Sequence, residues 1–200
     1  MRALARLCRR FAVSTRGIAA VEFAMIVPVL LLLLLASFDA GRAIALYMKV
    51  RAAAFTLASI TNQFSTSTNS IQTATMTTIT NASARVLDPY PLSAAVEKIT
   101  LIKATSLTAA TVSWSYSLNG TAYTQGTTWT LPSQFRTMNG AISGSACNSY
   151  PCYYVLAEVA YTYTPAFGSF VTGPITLSDA VYVTPRSSVC IQYNNVPSTC

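Results

Sequence analysis

The run Arg16-Gly17-Ile18-Ala19-Ala20-Val21-Glu22-Phe23, continued by an apolar stretch from Ala24 to Phe38, decides how the rest of the chain is read. Phe23 to Phe38 holds no charged residue, and Glu22 is the one charge between Ile18 and Phe38. At about 1.5 Å of rise per residue, Ile18 to Phe38 makes a helix of roughly 30 Å, enough to cross the hydrocarbon core of a bilayer. A segment at that depth must satisfy its backbone internally, which leaves a helix. The residues before it carry Arg2, Arg6, Arg9, Arg10 and Arg16 and no acid. Basic residues beside a first transmembrane helix stay on the cytoplasmic side. The N-terminus is therefore expected inside, and residues beyond about 40 outside.

The chain of 200 residues has a formal net charge of +7 and no histidine. Most of the basicity is the N-terminal arginine cluster. Beyond Arg51, five cations (Arg85, Lys98, Lys103, Arg136, Arg186) face four acids (Asp88, Glu97, Glu158, Asp179). Such a balance gives no electrostatic footprint for nucleic acid. Without histidine the commonest general base is missing, and no Ser-His-Asp or Cys-His site can be built. A Ser–Lys or carboxylate pair could still use Lys98, Lys103, Glu97, Glu158 or Asp179, but no spacing brings these together. There is no glycine-rich phosphate loop. The chain is read as a non-enzyme with no cofactor.

Three readings of the N-terminus compete: a cleaved secretory signal, an uncleaved signal anchor, and a leader removed on the cytoplasmic side. The first would need a cleavage site at Leu34-Leu35-Ala36, which is poor. The third gives Glu22 a role. A carboxylate inside a membrane helix costs on the order of 2.5–3.5 kcal/mol at the centre, less near the edge. Glu22 either snorkels to the interface or meets a positive partner. Cutting after Gly17 would create one, the α-amino group of Ile18, with Glu22 at the fifth mature position.

Gly17 with Glu22 five positions on resembles the class III leader cut by prepilin peptidases. The wider run from Arg16 to Ala24, then Pro28, the leucines and Phe38-Asp39-Ala40-Gly41-Arg42, resembles the TadE/TadG family of Flp (tight adherence) pilus assembly proteins. The likeness is specific over roughly residues 14 to 60. It is weaker through Pro89-Tyr90-Pro91, Val112-Ser113-Trp114-Ser115, Tyr161-Thr162-Tyr163-Thr164-Pro165 and Pro185-Arg186. Phe23 stands where the major Flp pilin usually has tyrosine, and Ile18 where type IVa pilins usually have phenylalanine. The resemblance implies a minor pilin or pseudopilin in the bacterial inner membrane. Gly17 and Ile18 would flank the cleavage site, and Glu22 and Phe23 would serve recognition and assembly. It also implies three partners besides the lipid bilayer: a prepilin peptidase, other pilins or pseudopilins, and the inner-membrane assembly platform. The competing function is an uncleaved, membrane-anchored periplasmic binding or adhesin-like domain.

Beyond Phe38, Ala43, Leu46, Tyr47, Val50, Ala54, Leu57 and Phe64 recur at helical spacing, so one long helix is expected from about Ile18 to about Asn62. Ser65 to Ser70 reads as a linker. Ile71, Ala74, Ile79, Ala82 and Val86 suggest a second helix capped by Asn69 or Ser70, stopped at Asp88-Pro89-Tyr90-Pro91. The remainder reads as β. Strands are expected at Val96–Lys103 and at Val112–Leu118, with Trp114 and Tyr116 alternating with serines. Asn119-Gly120 predicts a type I′ hairpin returning along Ala122–Thr124. Long strands are expected at Tyr153–Tyr163 and Ile175–Val183, joined through Gly168 to Gly173. The expected fold is α+β and pilin-like, a long N-terminal transmembrane helix packed on an antiparallel β-sheet. Its parts are a leader over residues 1–17, a spanning and projecting helix over 18–64, and a periplasmic α+β domain over 65–200.

Cys8 lies in the leader. Cys147, Cys152, Cys190 and Cys200 lie beyond the membrane, and an even number in an oxidising compartment points to two disulfides. The short loops favour Cys147–Cys152 and Cys190–Cys200, with bridges from the Cys147 loop to the C-terminal tail as the alternative. A zinc site would more usually show C-x₂-C spacing.

Overall fold

The structure, a computed structural model, describes residues 17–64, 70–106, 108–135, 150–186 and 190–194. The long helix α1 runs from Ile18 to Thr61 with Pro28 inside it. A second helix, α2, spans Thr73–Leu87. Five strands follow: β1 (Ala95–Ala104), β2 (Ala110–Leu118), β3 (Thr128–Trp129), β4 (Cys152–Tyr163) and β5 (Ile175–Val183), with a short helix α3 (Ser169–Thr172) between the last two. They form one antiparallel sheet in the order β3-β2-β1-β4-β5. This is the expected α+β arrangement, a long apolar helix with an antiparallel sheet.

The two halves of α1 meet different surroundings. Val21 to Leu34 carries a belt of exposed apolar side chains, among them Ile26, Leu30, Leu31 and Leu33. Beyond Asp39 the helix lies over β4 and β5. There Leu46, Val50, Ala53, Ala54, Leu57 and Ala58 are fully buried. They pack with Ala95, Ile99 and Leu101 of β1 and with Tyr153, Val155, Ala157, Val159, Tyr161 and Tyr163 of β4. Small alanines on the helix let it approach the pleat, and the aromatic and branched residues of the strands fill the space beside them. α2 closes the same core with Met76, Ile79 and Leu87. Lys49 on α1 donates through Nζ to the carbonyl oxygen of Asp88 at 2.6 Å, tying a cation of α1 to the C-terminal end of α2.

A smaller core covers the far face of the sheet. Ile102, Ala104, Ala110, Leu131, Cys152, Tyr154 and Leu156 form it, with Phe135 and Tyr182 alongside. The register between β1 and β2 shifts. Leu101 pairs with Trp114 but Ile102 pairs with Val112, so Ser113 is the extra residue of a bulge. Leu101 faces α1 and Ile102 faces away, so Trp114 and Val112 are sent to opposite faces. The period-two reading of this strand placed them on one face, and the bulge is the reason for the difference.

Two other expectations are corrected. No strand forms at 122–124. Asn119 but not Gly120 takes a left-handed conformation, with φ of 56°, and its Nδ2 donates to the carbonyls of Leu92 and Ala95, each at 3.0 Å. Gly120 lies against Val96, where a Cβ would come within 2.6 Å of Cγ1. The chain turns back later, at Gly126 with φ of 82°, and pairs as β3 with the start of β2. Tertiary contacts to β1 thus override the local hairpin signal.

The second correction concerns α2. Its N-cap position is Gln72, whose side chain makes no cap. The Thr73 N–H is instead accepted by Asn194 Oδ1 at 3.1 Å, from the far end of the chain. Ile71 meanwhile pairs with Tyr193 in a parallel bridge. The C-terminal strap is fixed further by Trp114, whose Nε1–H donates to the Ile191 carbonyl at 2.7 Å and whose ring stacks on Tyr193.

Candidate functional site

α1 carries both the Glu22 end of the Gly17–Glu22 motif and the long exposed apolar surfaces. Gly17 is the residue before the first helical turn, with φ of −87° and no side-chain cap. A Cβ at Gly17 would meet nothing within 4 Å among the described residues. α1 starts at Ile18, so the helix boundary coincides with the Gly17–Ile18 junction. Glu22 follows one turn later, exposed, with Phe23 beside it 66% exposed. Residues four apart share one face of a helix, so positions 18 and 22 lie along the same edge, about 6 Å apart along the axis. The positive end of the helix dipole also favours a carboxylate at this end. The leader arginines, Cys8, Asn69 and the 65–69 linker lie outside the described residues.

Outside the apolar belt, α1 shows two opposite faces. Leu46, Val50, Ala53 and Leu57 point into the core. Ile44 is 58% exposed, Met48 65% and Phe55 60%, with half-covered Tyr47 and exposed Arg51 between them. At 3.6 residues per turn these five share one face, directly away from the sheet.

Asp39 marks the boundary between the two halves. It is buried and accepts three backbone N–H bonds, from Ala166 to Oδ1 at 3.0 Å and from Phe167 and Gly168 to Oδ2 at 2.9 and 2.8 Å. Tyr163 donates its hydroxyl to the Asp39 carbonyl at 3.3 Å. Phe38 meets Phe167 edge to face, with ring centroids 5.9 Å apart, and the Arg42 guanidinium lies over the Phe38 ring. Sequence reading singled out Phe38-Asp39 only as part of a family likeness. Its partners lie more than 120 residues away, and no local signal names them.

The polar residues weighed for chemistry are dispersed. Glu97 faces α1 and is fully buried. Lys98 and Glu158 are cross-strand partners on the opposite face. There the Tyr123 hydroxyl donates to Glu158 Oε1 at 3.3 Å, and Lys98 Nζ lies 4.4 Å from the Tyr123 ring centroid. Burial and the adjacent Glu158 carboxylate push the Tyr123 phenol up to about 12. An open groove of about 480 Å³ runs beside them, lined by Val96, Ser178 and Asp179 among others. Lys103 lies near the Tyr153 ring, away from both carboxylates.

Burial raises the Glu97 carboxyl from 4.5 to about 7, while its hydrogen bond with Ser83 pulls the other way. The Ser83 hydroxyl also lies within reach of the Thr80 carbonyl. One hydroxyl has one proton. Its proton is thus shared between Glu97 Oε1 and the Thr80 carbonyl oxygen.

Cys152 and Cys190 are half-cystines and both are buried, the first in the far-face core and the second in the core under α1. Cys147 and Cys200 lie outside the described residues.

Among known proteins, the family model described as TadE-like protein matches residues 17–58. The matched stretch runs from the Gly17 junction almost to the end of α1. It takes in Glu22, Phe23, Asp39 and the outward stripe from Ile44 to Phe55. No curated protein matches the chain. No solved structure matches it either.

Proposed function

From the premise that this chain carries a TadE-like segment, which ties it to Tad pilus assembly at the membrane, we propose that it is a minor pilin or pseudopilin. It is made as a precursor, cut between Gly17 and Ile18 by a prepilin peptidase, and assembled through α1 with other pilins on the inner-membrane platform. Its N-terminus is cytoplasmic and its sheet domain periplasmic. In this reading the protein is a structural subunit and an enzyme's substrate, not an enzyme. Glu22 pairs with the freed amino group of Ile18, most directly that of a neighbouring subunit shifted by one helical turn, and so sets register. Phe23 packs beside that pair. In the periplasm Cys147–Cys152 and Cys190–Cys200 form two disulfides. Cys152 and Cys190 sit in cores on opposite faces of the sheet, which favours two local bridges.

The observation that carries the proposal is the outward face of α1 beyond Asp39. A helix that only tethered a domain would need apolar residues in the bilayer and on its domain side. Here Ile44, Met48 and Phe55 form a third apolar surface, exposed outside the membrane length. A stripe of that width suits a second helix.

The test joins two measurements on one sample. The wild-type protein purified from membranes should begin at Ile18 and co-purify with other pilins. Phe55→Glu should be cut at the same place and fold, since position 55 touches no core, yet lose co-purification and piliation. A protein beginning at Met1 would instead favour the uncleaved anchored-domain reading. Wild-type piliation by Phe55→Glu would refute assembly through this face.

A further inference from the structure

The β4–β5 turn extends past the start of β1 to the end of the apolar half of α1. β1 begins at Ala95, paired with Tyr161, but the β4–β5 ladder continues two residues beyond, to Tyr163 paired with Ile175. The turn that follows meets α1 at Phe38 and Asp39, where the apolar run of the helix ends. Phe167 in this turn is 45% exposed and Ile175 is 40% exposed. Ala166 and Pro174 are exposed as well. A large aromatic and a branched aliphatic side chain are thus held exposed beside the end of the apolar run of α1.

We propose that this turn is a second membrane contact, seated in the headgroup and glycerol region of the leaflet on the domain's side. Three features fit that occupant. First, the apolar surface is continuous with the exposed belt of α1 through the Phe38–Phe167 contact, so one lipid surface covers both. Second, five of the turn's backbone N–H groups are taken up within the protein. The N–H groups of Ala166, Phe167 and Gly168 are taken by Asp39, and those of Thr172 and Gly173 by the carbonyls of Gly168 and Ser169. Unpaired N–H groups are what normally bar an irregular loop from lipid. Third, Arg42 sits one turn beyond Phe38, at the depth of the phosphates, where a guanidinium finds anionic partners. Aromatic side chains favour the same layer. The consequence is mechanical. With one contact the domain could swivel about α1, whereas with two its sheet keeps a fixed tilt to the membrane.

The inference rests on α1 crossing the bilayer, and the assay separates the two. Phe167→Trp, Ile175→Trp, Leu31→Trp and Thr108→Trp are made in the full chain and reconstituted into phosphatidylcholine vesicles. The vesicles carry a nitroxide quencher either high or deep on the acyl chain. The wild-type signal, from Trp114 and Trp129, is subtracted. The indoles of Phe167→Trp and Ile175→Trp should be quenched by the shallow nitroxide and shielded from aqueous iodide. Leu31→Trp should respond to the deep nitroxide. Thr108→Trp, at the distal β1–β2 connection, should respond only to iodide. If Leu31→Trp is quenched by lipid but positions 167 and 175 behave like Thr108→Trp, the loop contact is overturned while the spanning helix stands. If Leu31→Trp also fails, the membrane reading itself falls. Shielding of position 167 from both lipid and iodide, appearing only at high protein density, would overturn the lipid contact in favour of a subunit interface.

Discussion

Glu97→Gln should abolish a pH dependence of stability that the wild-type fold carries in its core. Glu97 is fully buried between β1 and α2, and its Oε2 has no hydrogen-bond partner among the described residues. Its carboxyl is raised from 4.5 to about 7 by burial. The native state therefore holds this proton over a range where the unfolded chain has released it. Stability rises with pH only where the unfolded state binds more protons, so here it must fall. The fall begins above pH 4.5 and is complete once pH has passed about 7. Below that window both states are protonated, and above it both are ionised. At about 1.36 kcal/mol per unit, the whole interval is worth roughly 3 kcal/mol. The substituted amide would keep the shape, could accept from Ser83 through its carbonyl oxygen, and cannot ionise. Urea titrations in detergent, followed by tryptophan fluorescence, give the stability of both proteins from pH 4.5 to 8.5. The variant should match the wild type at the acid end and exceed it by roughly 3 kcal/mol at the alkaline end. Groups common to both proteins cancel in the difference. Parallel curves for the two proteins would refute the buried neutral acid.

Two further perturbations probe the long-range ties. Trp114→Phe leaves the Ile191 carbonyl without its indole donor and should cost about 1–3 kcal/mol in the same urea assay. It should also speed amide exchange at Ile71 and Asn194, whose bonds depend on the C-terminal strap; unchanged exchange there would show that the strap is held by other contacts. Asp39→Ala removes the acceptor for three N–H groups. Faster exchange and proteolysis should then appear between Pro165 and Gly173, with the β1–β2 ladder unaffected. Protection of the turn equal to wild type would show that Asp39 is not its anchor.

How much of this could be read from the sequence differs by element. α1 was legible because an uninterrupted apolar run and then a 3.6-residue stripe both demand a helix, and burial on one side does not change that period. β4 and β5 were legible because the apolar alternation runs over Tyr153–Tyr163 and, with Asp179 as the one exception, over Ile175–Val183; the β4–β5 register has no bulge, and Asp179 sits on the edge strand. The Gly17–Glu22 motif was visible as a spacing, and the structure adds that the helix starts at that junction. β2 was only half legible. The bulge at Ser113 inverts the alternation, and a bulge is fixed by the pairing strand, not by the strand that carries it.

The sequence by itself thus determined the helix, the long strands and the family likeness, because each rests on a local periodicity or a short contiguous motif. The tertiary structure decided everything that joins residues far apart. It supplied α2 with a cap from Asn194, turned Asn119 away from a hairpin and onto β1, buried Glu97 under α2, and locked the β4–β5 turn onto Asp39. It also decided which apolar residues of α1 are core and which are surface. Leu46 and Met48 are two positions apart and equally apolar, but the sheet covers one side of the helix and leaves the other exposed.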